Sequence, residues 1–264
     1  MSIRCATCFW SSVSVAFASL LSSGCGNGSY RLGGASSEAH PLNGAQRAGL
    51  CAQGADLEFI DQMEDGDGTI DFTAGRSGSW FAFNDRTGIQ YPAADLPRFP
   101  MTQLERPRAD SHYALRTYGS GFTVWGSGVG FDVRSQAPYN ASAYAGIAFW
   151  ARRAPDASTP GAADAGLSRP LTSALRVNVP DRGTSALGVE CEATQRCGDD
   201  FGRDLALDTS FQFFSFLWAD LAQRGWSGSL LPQIDQSQIY GLRFQTDVDV
   251  DFDFWIDDVA LLCR

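Results

Sequence analysis

The chain closes on Phe252-Asp253-Phe254-Trp255-Ile256-Asp257-Asp258-Val259-Ala260-Leu261-Leu262-Cys263, where Phe252, Phe254 and Ile256 alternate with Asp253, Trp255 and Asp257. That is the two-residue period of a strand with one buried and one polar face. Val259 and Leu261 fall on the opposite parity from Ile256. The Asp257-Asp258 pair must therefore absorb one residue of phase, as a β-bulge does, or the strand end is buried on both faces. Similar short apolar runs, punctuated by Gly, Pro, Asn and Asp, predict strands at residues 57–61, 80–84, 112–118, 121–124, 129–133, 145–151, 174–179, 211–216, 240–246 and 249–262. No stretch has the period of a long amphipathic helix, and only residues 218–224 read as a helical turn. The pattern predicts an all-β fold, a two-sheet antiparallel β-sandwich.

Composition narrows the partners. All 20 basic residues are Arg and the formal net charge is -10, which disfavours nucleic acid and anionic membrane surfaces, both of which need a basic footprint. The first 24 residues carry Arg4, an apolar Ser-rich run and the small residues Ser22-Ser23-Gly24. This is the layout of an export signal, too short and polar for a membrane span. Leu21-Ser22-Ser23-Gly24-Cys25 resembles a bacterial lipoprotein processing site, with the large aliphatic residue one place early. It predicts Cys25 as a lipidation site and a membrane association made only through that anchor; the alternative is an ordinary cleaved signal. Residues 25–50 are rich in Gly, Ser, Ala and Asn and read as a flexible tether to a domain spanning 51–264.

Of seven cysteines, Cys5 and Cys8 leave with the signal and Cys25 takes the lipid, so four remain. An even set in an oxidising compartment implies disulfides, and four cysteines allow three pairings. The favoured one joins Cys191 to Cys197 around a short loop and Cys51 to Cys263, tying the start of the domain to its last strand. A zinc site is disfavoured, because the mature chain has no C-x-x-C spacing and the sequence only two His.

Asp65-Gly66-Asp67-Gly68-Thr69-Ile70-Asp71 imitates an EF-hand loop, but aligning Gly68 with the required glycine places Met63 and Ala74 at ligand positions. A different cation arrangement is expected. If Cys51 bonds Cys263, Glu64 and Asp257 come near one point and become candidate ligands of a structural Ca²⁺; the alternative is two solvated acidic turns. Asp247, Asp249, Asp251 and Asp253 share a parity and read as a solvated face. Most tryptophans of the domain should fill its core. Trp125, in Val124-Trp125-Gly126, and Trp226, between Gly225 and Ser227, are the ones least committed to it. Catalysis lacks a signature: no nucleophile elbow accompanies His112, and Glu190 and Glu192 flank a disulfide cysteine. The chain is read as not an enzyme.

Six segments carry a family resemblance. They are the acidic opening Ile60-Asp61-Gln62-Met63-Glu64-Asp65-Gly66-Asp67 and the aromatic strand Gly78-Ser79-Trp80-Phe81-Ala82-Phe83-Asn84-Asp85; Tyr144-Ala145-Gly146-Ile147-Ala148-Phe149-Trp150-Ala151-Arg152; the Cys191–Cys197 loop into Gly198-Asp199-Asp200-Phe201-Gly202; and Leu221-Ala222-Gln223-Arg224-Gly225-Trp226 with the closing Phe254-Trp255-Ile256-Asp257-Asp258-Val259. Across residues 57–262 the chain resembles galactose-binding-like jelly rolls, in particular family 11 carbohydrate-binding modules. The resemblance implies a sandwich whose concave face binds a polysaccharide or oligosaccharide, with a structural calcium held by Glu64 and Asp257. It places Tyr144 and Arg152 on a strand that contributes to the concave face, and with the candidate aromatics Trp80, Trp125 and Trp226 they make the expected carbohydrate-binding set. The chain departs from the family pattern at Met63, where Phe is common. The reading is thus a non-catalytic carbohydrate-binding protein of the cell envelope. A structural lipoprotein holding a protein partner is the alternative, and a glycoside hydrolase the third reading.

Overall fold

The computed structural model describes residues 51–156, 166–194 and 197–264. The export signal, Cys25 and the tether lie outside the described residues, as does most of the Ala- and Pro-rich loop after Arg153.

Twelve strands form two antiparallel sheets among the described residues. One sheet runs β10 (Gln212–Leu217), β7 (Gly146–Arg153), β12 (Phe252–Leu262), β5 (Ser111–Ser120) and β3 (Ile89–Tyr91), with β1 (Leu57–Asp61) paired to β12 and β4 (Thr102–Arg108) to β5. The other runs β2 (Trp80–Asn84), β6 (Ser127–Asp132), β11 (Gly241–Thr246), β8 (Ala174–Val179) and β9 (Phe201–Ala206). Among the described residues one short α-helix, α1 (Val189–Thr194), precedes β9.

The closing strand β12 lies inside the larger sheet. It pairs with β5 over its first half, with β7 over most of its length and with β1 at its end. Phe252, Phe254 and Ile256 enter the core, the register slips between Asp257 and Ala260, and Asp258 takes a φ of 48°. After this bulge Val259 and Leu261 point into the same core, so one extra residue repairs the parity break seen in the sequence.

The other face of β12 departs from expectation. Asp251 and Asp253, read as solvated, are buried. Asp251 accepts from the N–H groups of Ser168 and Arg169, and Asp253 accepts two hydrogen bonds from Arg116. Only Asp247 and Asp249 of that row are exposed. Over β12 the guanidinium groups of Arg116 and Arg152 lie 4.9 and 4.5 Å from the Trp255 ring, and that of Arg108 lies 4.5 Å from Trp150. Arginine stems and planar heads thus shield the outer face of the strand beside Leu104 of β4.

Between the sheets Phe149 of β7 meets Phe244 of β11 edge-on at 5.0 Å, and Trp80 of β2 meets Phe131 of β6 at 4.7 Å. Trp80 also crosses the sandwich: its Nε1 donates to Asp61 Oδ2 of β1 at 2.7 Å. Trp80 is 4% exposed, which corrects its expected role at a sugar-binding surface; its large ring and single donor serve the core instead. Burial raises the Asp61 carboxyl well above its ordinary range, against the opposing hydrogen bonds from Met63 N–H and Trp80. The two disulfides are Cys51–Cys263 and Cys191–Cys197, the favoured pairing.

Strands β3, β4 and β9 were not anticipated. β4 is largely polar and contains Pro107, and β9 has only Phe201, Gly202 and Leu205 buried; both are edge-type sequences whose pairing is decided by their neighbours. Conversely, residues 121–124 form a loop. Asp85 Oδ2 accepts from the N–H groups of Val124, Trp125 and Gly126, donors that a strand would have used in its ladder.

Trp80→Phe keeps an aromatic ring but leaves Asp61 Oδ2 without its buried donor, Oδ1 keeping Met63 N–H. It should lower unfolding free energy by about 1–3 kcal/mol in denaturant titration while leaving any ligand binding unchanged.

Candidate functional site

The outer face of the five-stranded sheet carries a groove of about 810 Å³. Its floor follows from strand alternation. In β8, Val177 and Val179 face the core while Arg176 and Asn178 face out; in β11, Leu242 and Phe244 face in while Arg243 and Gln245 face out. Phe83 of β2 completes one side. Two glycines make room for these long side chains. A Cβ on Gly128 would stand 2.6 Å from Phe83 Cζ, and one on Gly202 would stand 2.5 Å from Asn178 Oδ1.

The floor is one connected hydrogen-bond chain. Gln245 Nε2 donates to the Trp125 carbonyl at 3.1 Å, Asn178 Nδ2 to Gln245 Oε1 at 3.2 Å, and Arg176 Nε to Asn178 Oδ1 at 2.8 Å. Arg176 continues to Asp204, and Arg224 bridges Asp204 to Asp247. Such a network fixes the direction of each amide and guanidinium before any ligand arrives.

Both rims are tryptophans on loops that a single carboxylate shapes. Asp85 takes the N–H groups of the Trp125 loop on Oδ2 and those of Thr87, hydroxyl and backbone, on Oδ1. Burial works to raise its pKa, but the bonds from the Thr87 hydroxyl and from Gly126, Trp125 and Thr87 N–H outweigh it and hold the carboxyl well below the usual range. Asp199, 1% exposed, accepts from Arg224 N–H, Gly225 N–H, Ser227 N–H and Ser227 Oγ, and so folds the turn that presents Trp226. Trp125 is 44% exposed and stacks on Phe83, with ring centroids 6.1 Å apart. Trp226 is 63% exposed and lies over Gly198, next to the Cys191–Cys197 disulfide.

Of the five residues expected to bind carbohydrate, the groove brings together Trp125 and Trp226. Trp80 is core. Arg152 lies on the outer face of the seven-stranded sheet, between Phe211 and Trp255. Tyr144 sits at the approach to β7, half-buried against the core, its carbonyl accepting from Trp218 Nε1 and Arg264 Nε. The resemblance placed Tyr144 and Arg152 on the binding face, but β7 belongs to the opposite sheet. Phe83, Arg176, Asn178, Arg243 and Gln245 were missed, although the alternation of amide and guanidinium side chains with Val, Leu and Phe in β8 and β11 was readable.

The expected cation site is built differently. Asp257 Oδ2 accepts from Arg108 Nε at 3.2 Å, Arg108 Nη2 at 2.8 Å and Ser111 Oγ at 2.7 Å, while Oδ1 accepts from Asp258 N–H at 2.8 Å. Glu64 Oε1 accepts from the N–H groups of His112 and Tyr113, and its Oε2 lies 3.4 Å from His112 Nδ1. Both carboxylates are ringed by N–H and O–H donors, whose protons occupy the directions a Ca²⁺ ion would need. No group of three or more His, Cys, Asp and Glu among the described residues is placed to hold a metal. The donor set does not fit the ion; the Arg108 guanidinium supplies positive charge to Asp257 and Asp258.

Besides Asp61, burial raises Asp181, Asp200 and Asp257 above the ordinary carboxylate range. Burial, then the charge of Asp258, pushes Asp257 up to about 7 against Arg108 and Ser111. Burial pushes Asp200 up to about 6, against the Arg243 guanidinium 3.6 Å away. A carboxyl whose pKa is raised by folding takes up a proton on folding, so its contribution falls as pH rises from the ordinary value near 3.8 to the raised one. Asp85 and Asp204 are shifted down, and their stabilisation is already complete above the ordinary range. Through Asp200 and Asp257 the melting temperature should therefore fall between about pH 4 and pH 7, and Asp200→Asn should reduce that slope. Arg108→Gln, which strands Asp257 beside Asp258, should cost about 3–5 kcal/mol in denaturant titration, whereas excess chelator should leave the melting curve of the native chain unmoved.

No family model matches the chain, and no curated protein matches it. Solved structures do. The family 11 carbohydrate-binding module of the cellulosomal cellulase Lic26A-Cel5E of Clostridium thermocellum is similar at a TM-score of 0.45 and 10% identity, over 79% of this chain and 95% of that one. A family 11 module from Clostridium thermocellum in complex with a β-1,3-1,4-mixed-linked tetrasaccharide is similar at 0.45 and 12% identity, over 75% and 96%. A family 30 carbohydrate-binding module is similar at 0.42 and 11% identity, over 70% and 91%. The chain is a β-sandwich by its own strand pairing, and modules of families 11 and 30 are among the solved structures it is similar to.

Proposed function

We propose that the groove binds a carbohydrate chain without cleaving it, in a protein exported from the cell and anchored by a lipid on Cys25. The observation that carries the reading is the pair of exposed tryptophans, each on a loop held by its own hydrogen-bonded carboxylate, flanking a floor of oriented amides and guanidiniums. Sugar rings present apolar C–H faces and a rim of hydroxyls. Indole faces suit the first, and Gln245, Asn178 and the arginines suit the second. The groove volume falls within the range of about 300–1,000 Å³ that small-molecule sites occupy.

Binding without hydrolysis is favoured by how the carboxylates are used. Asp199 is committed to the Trp226 turn, and Asp204 and Asp247 to Arg224. Asp200 has the raised pKa of a general acid, but it is 5% exposed and its unpartnered Oδ1 is fully covered. A catalytic acid must come within hydrogen-bond reach of the glycosidic oxygen. Export is supported by the two disulfides, which persist in oxidising compartments.

Affinity electrophoresis against mixed-linked β-glucan, xylan, galactan and agarose tests the reading. Retention by at least one of these polymers is expected, with Trp125→Ala and Trp226→Ala each weakening it at least about tenfold, or about 1.4 kcal/mol, and no reducing ends released. Folded protein that none of them retards would refute it.

A further inference from the structure

We infer that the glycan site does not end at Trp125 but continues over the edge of the sheet into a second hollow, so that the protein takes a long chain spanning both. The inference rests on the carbohydrate reading of the groove. A second hollow of about 850 Å³ lies between β2 and β3. Phe83 and Trp125 line both hollows. Their stacked rings, 21° from parallel, therefore form a shared ridge with a cavity on either side and not an end wall.

The second hollow repeats the chemistry of the first. Tyr91, 38% exposed and stacked on Tyr118 at 5.2 Å, supplies an aromatic face beyond the ridge. Asn84 supplies an oriented amide: its Nδ2 donates to Gln90 Oε1 and its Oδ1 accepts from Arg86 N–H. Gln90 is buried and in turn donates to Thr117 Oγ1 and the Gly128 carbonyl, so the amide of Asn84 is locked to the sheet. The Arg86 guanidinium and the Asp95 carboxylate also line the hollow. Among the described residues neither charged group has a hydrogen-bond or ion-pair partner. Arg176, Arg224 and Asp247 in the first hollow, by contrast, are paired with one another or with Asp204.

Geometry assigns one ligand to both hollows. Each alone has the volume of a complete small-molecule site, with a limit of about 1,000 Å³ for such sites, and a mono- or disaccharide would leave one of them unused. Aromatic faces in the order Trp226, Trp125 with Phe83, and Tyr91 give a path in which successive sugar rings meet a flat apolar surface. A polymer fits that path, and free sugars do not require it.

The test is isothermal titration of the full chain with mixed-linked β-1,3-1,4-glucan oligosaccharides of about four and about eight units, matched to one and two site-sized hollows. The octasaccharide should bind at least about tenfold more tightly than the tetrasaccharide. Tyr91→Ala and Asp95→Ala should each bring that ratio toward one, Asp95 being an exposed loop residue whose loss leaves the fold intact. Equal affinity for both lengths, or a ratio that neither variant changes, would overturn the second hollow while leaving the groove reading in place. Failure of both lengths to bind would overturn the groove reading for this glycan and the inference with it.

Discussion

One extra residue in β12 sets the terms for the larger sheet. Without the bulge at Asp257 and Asp258, either Phe252, Phe254 and Ile256 or Val259 and Leu261 would face away from the core, since a slip of one residue reverses every side chain. The bulge leaves two neighbouring carboxylates at a buried point, which a folded chain tolerates only with compensating charge and hydrogen bonds. Arg108 supplies the charge and Ser111 a further donor. Because Arg108 ends β4 and Ser111 begins β5, the compensation also positions the hairpin that covers Trp255.

The same economy recurs at the groove. A carboxylate with several converging N–H donors behaves as the centre of a loop, since each bond removes a backbone group from solvent and fixes one direction. Asp85 and Asp199 do this on opposite sides of the five-stranded sheet. The tryptophans they present are consequently exposed and ordered at once, a condition that loses little entropy when a flat ligand docks. The charged side chains of the floor are mostly paired with one another, so the overall charge of -10 does not concentrate in the groove.

Legibility in the sequence followed the range of the interactions. Strand periodicity in β1, β2, β8, β11 and β12, the phase break at Asp257 and the even set of four cysteines are local or arithmetic features; the sandwich followed from the first, while the bulge was one of two readings and the disulfide pairing the favoured one of three. The exposure of Trp125 and Trp226 followed from the small flexible residues around them. Edge strands β3, β4 and β9 carried no such signal, because an edge strand is defined by the neighbour it finds.

Sequence by itself therefore determined the all-β class and the core-facing side of the central strands. Which sheet each strand joins was decided only by the tertiary structure, and the site depended on that. Trp80 and Trp125 were both expected to bind carbohydrate, yet one bridges the sheets to Asp61 and the other stands on the groove's rim. Arg152 and Arg176 are both arginines on strands, but their strands lie in opposite sheets. Asp257, expected to hold a cation, meets a guanidinium brought from 149 residues away. Side-chain period tells which face of a strand is buried; only the packing of two sheets tells what lies against it.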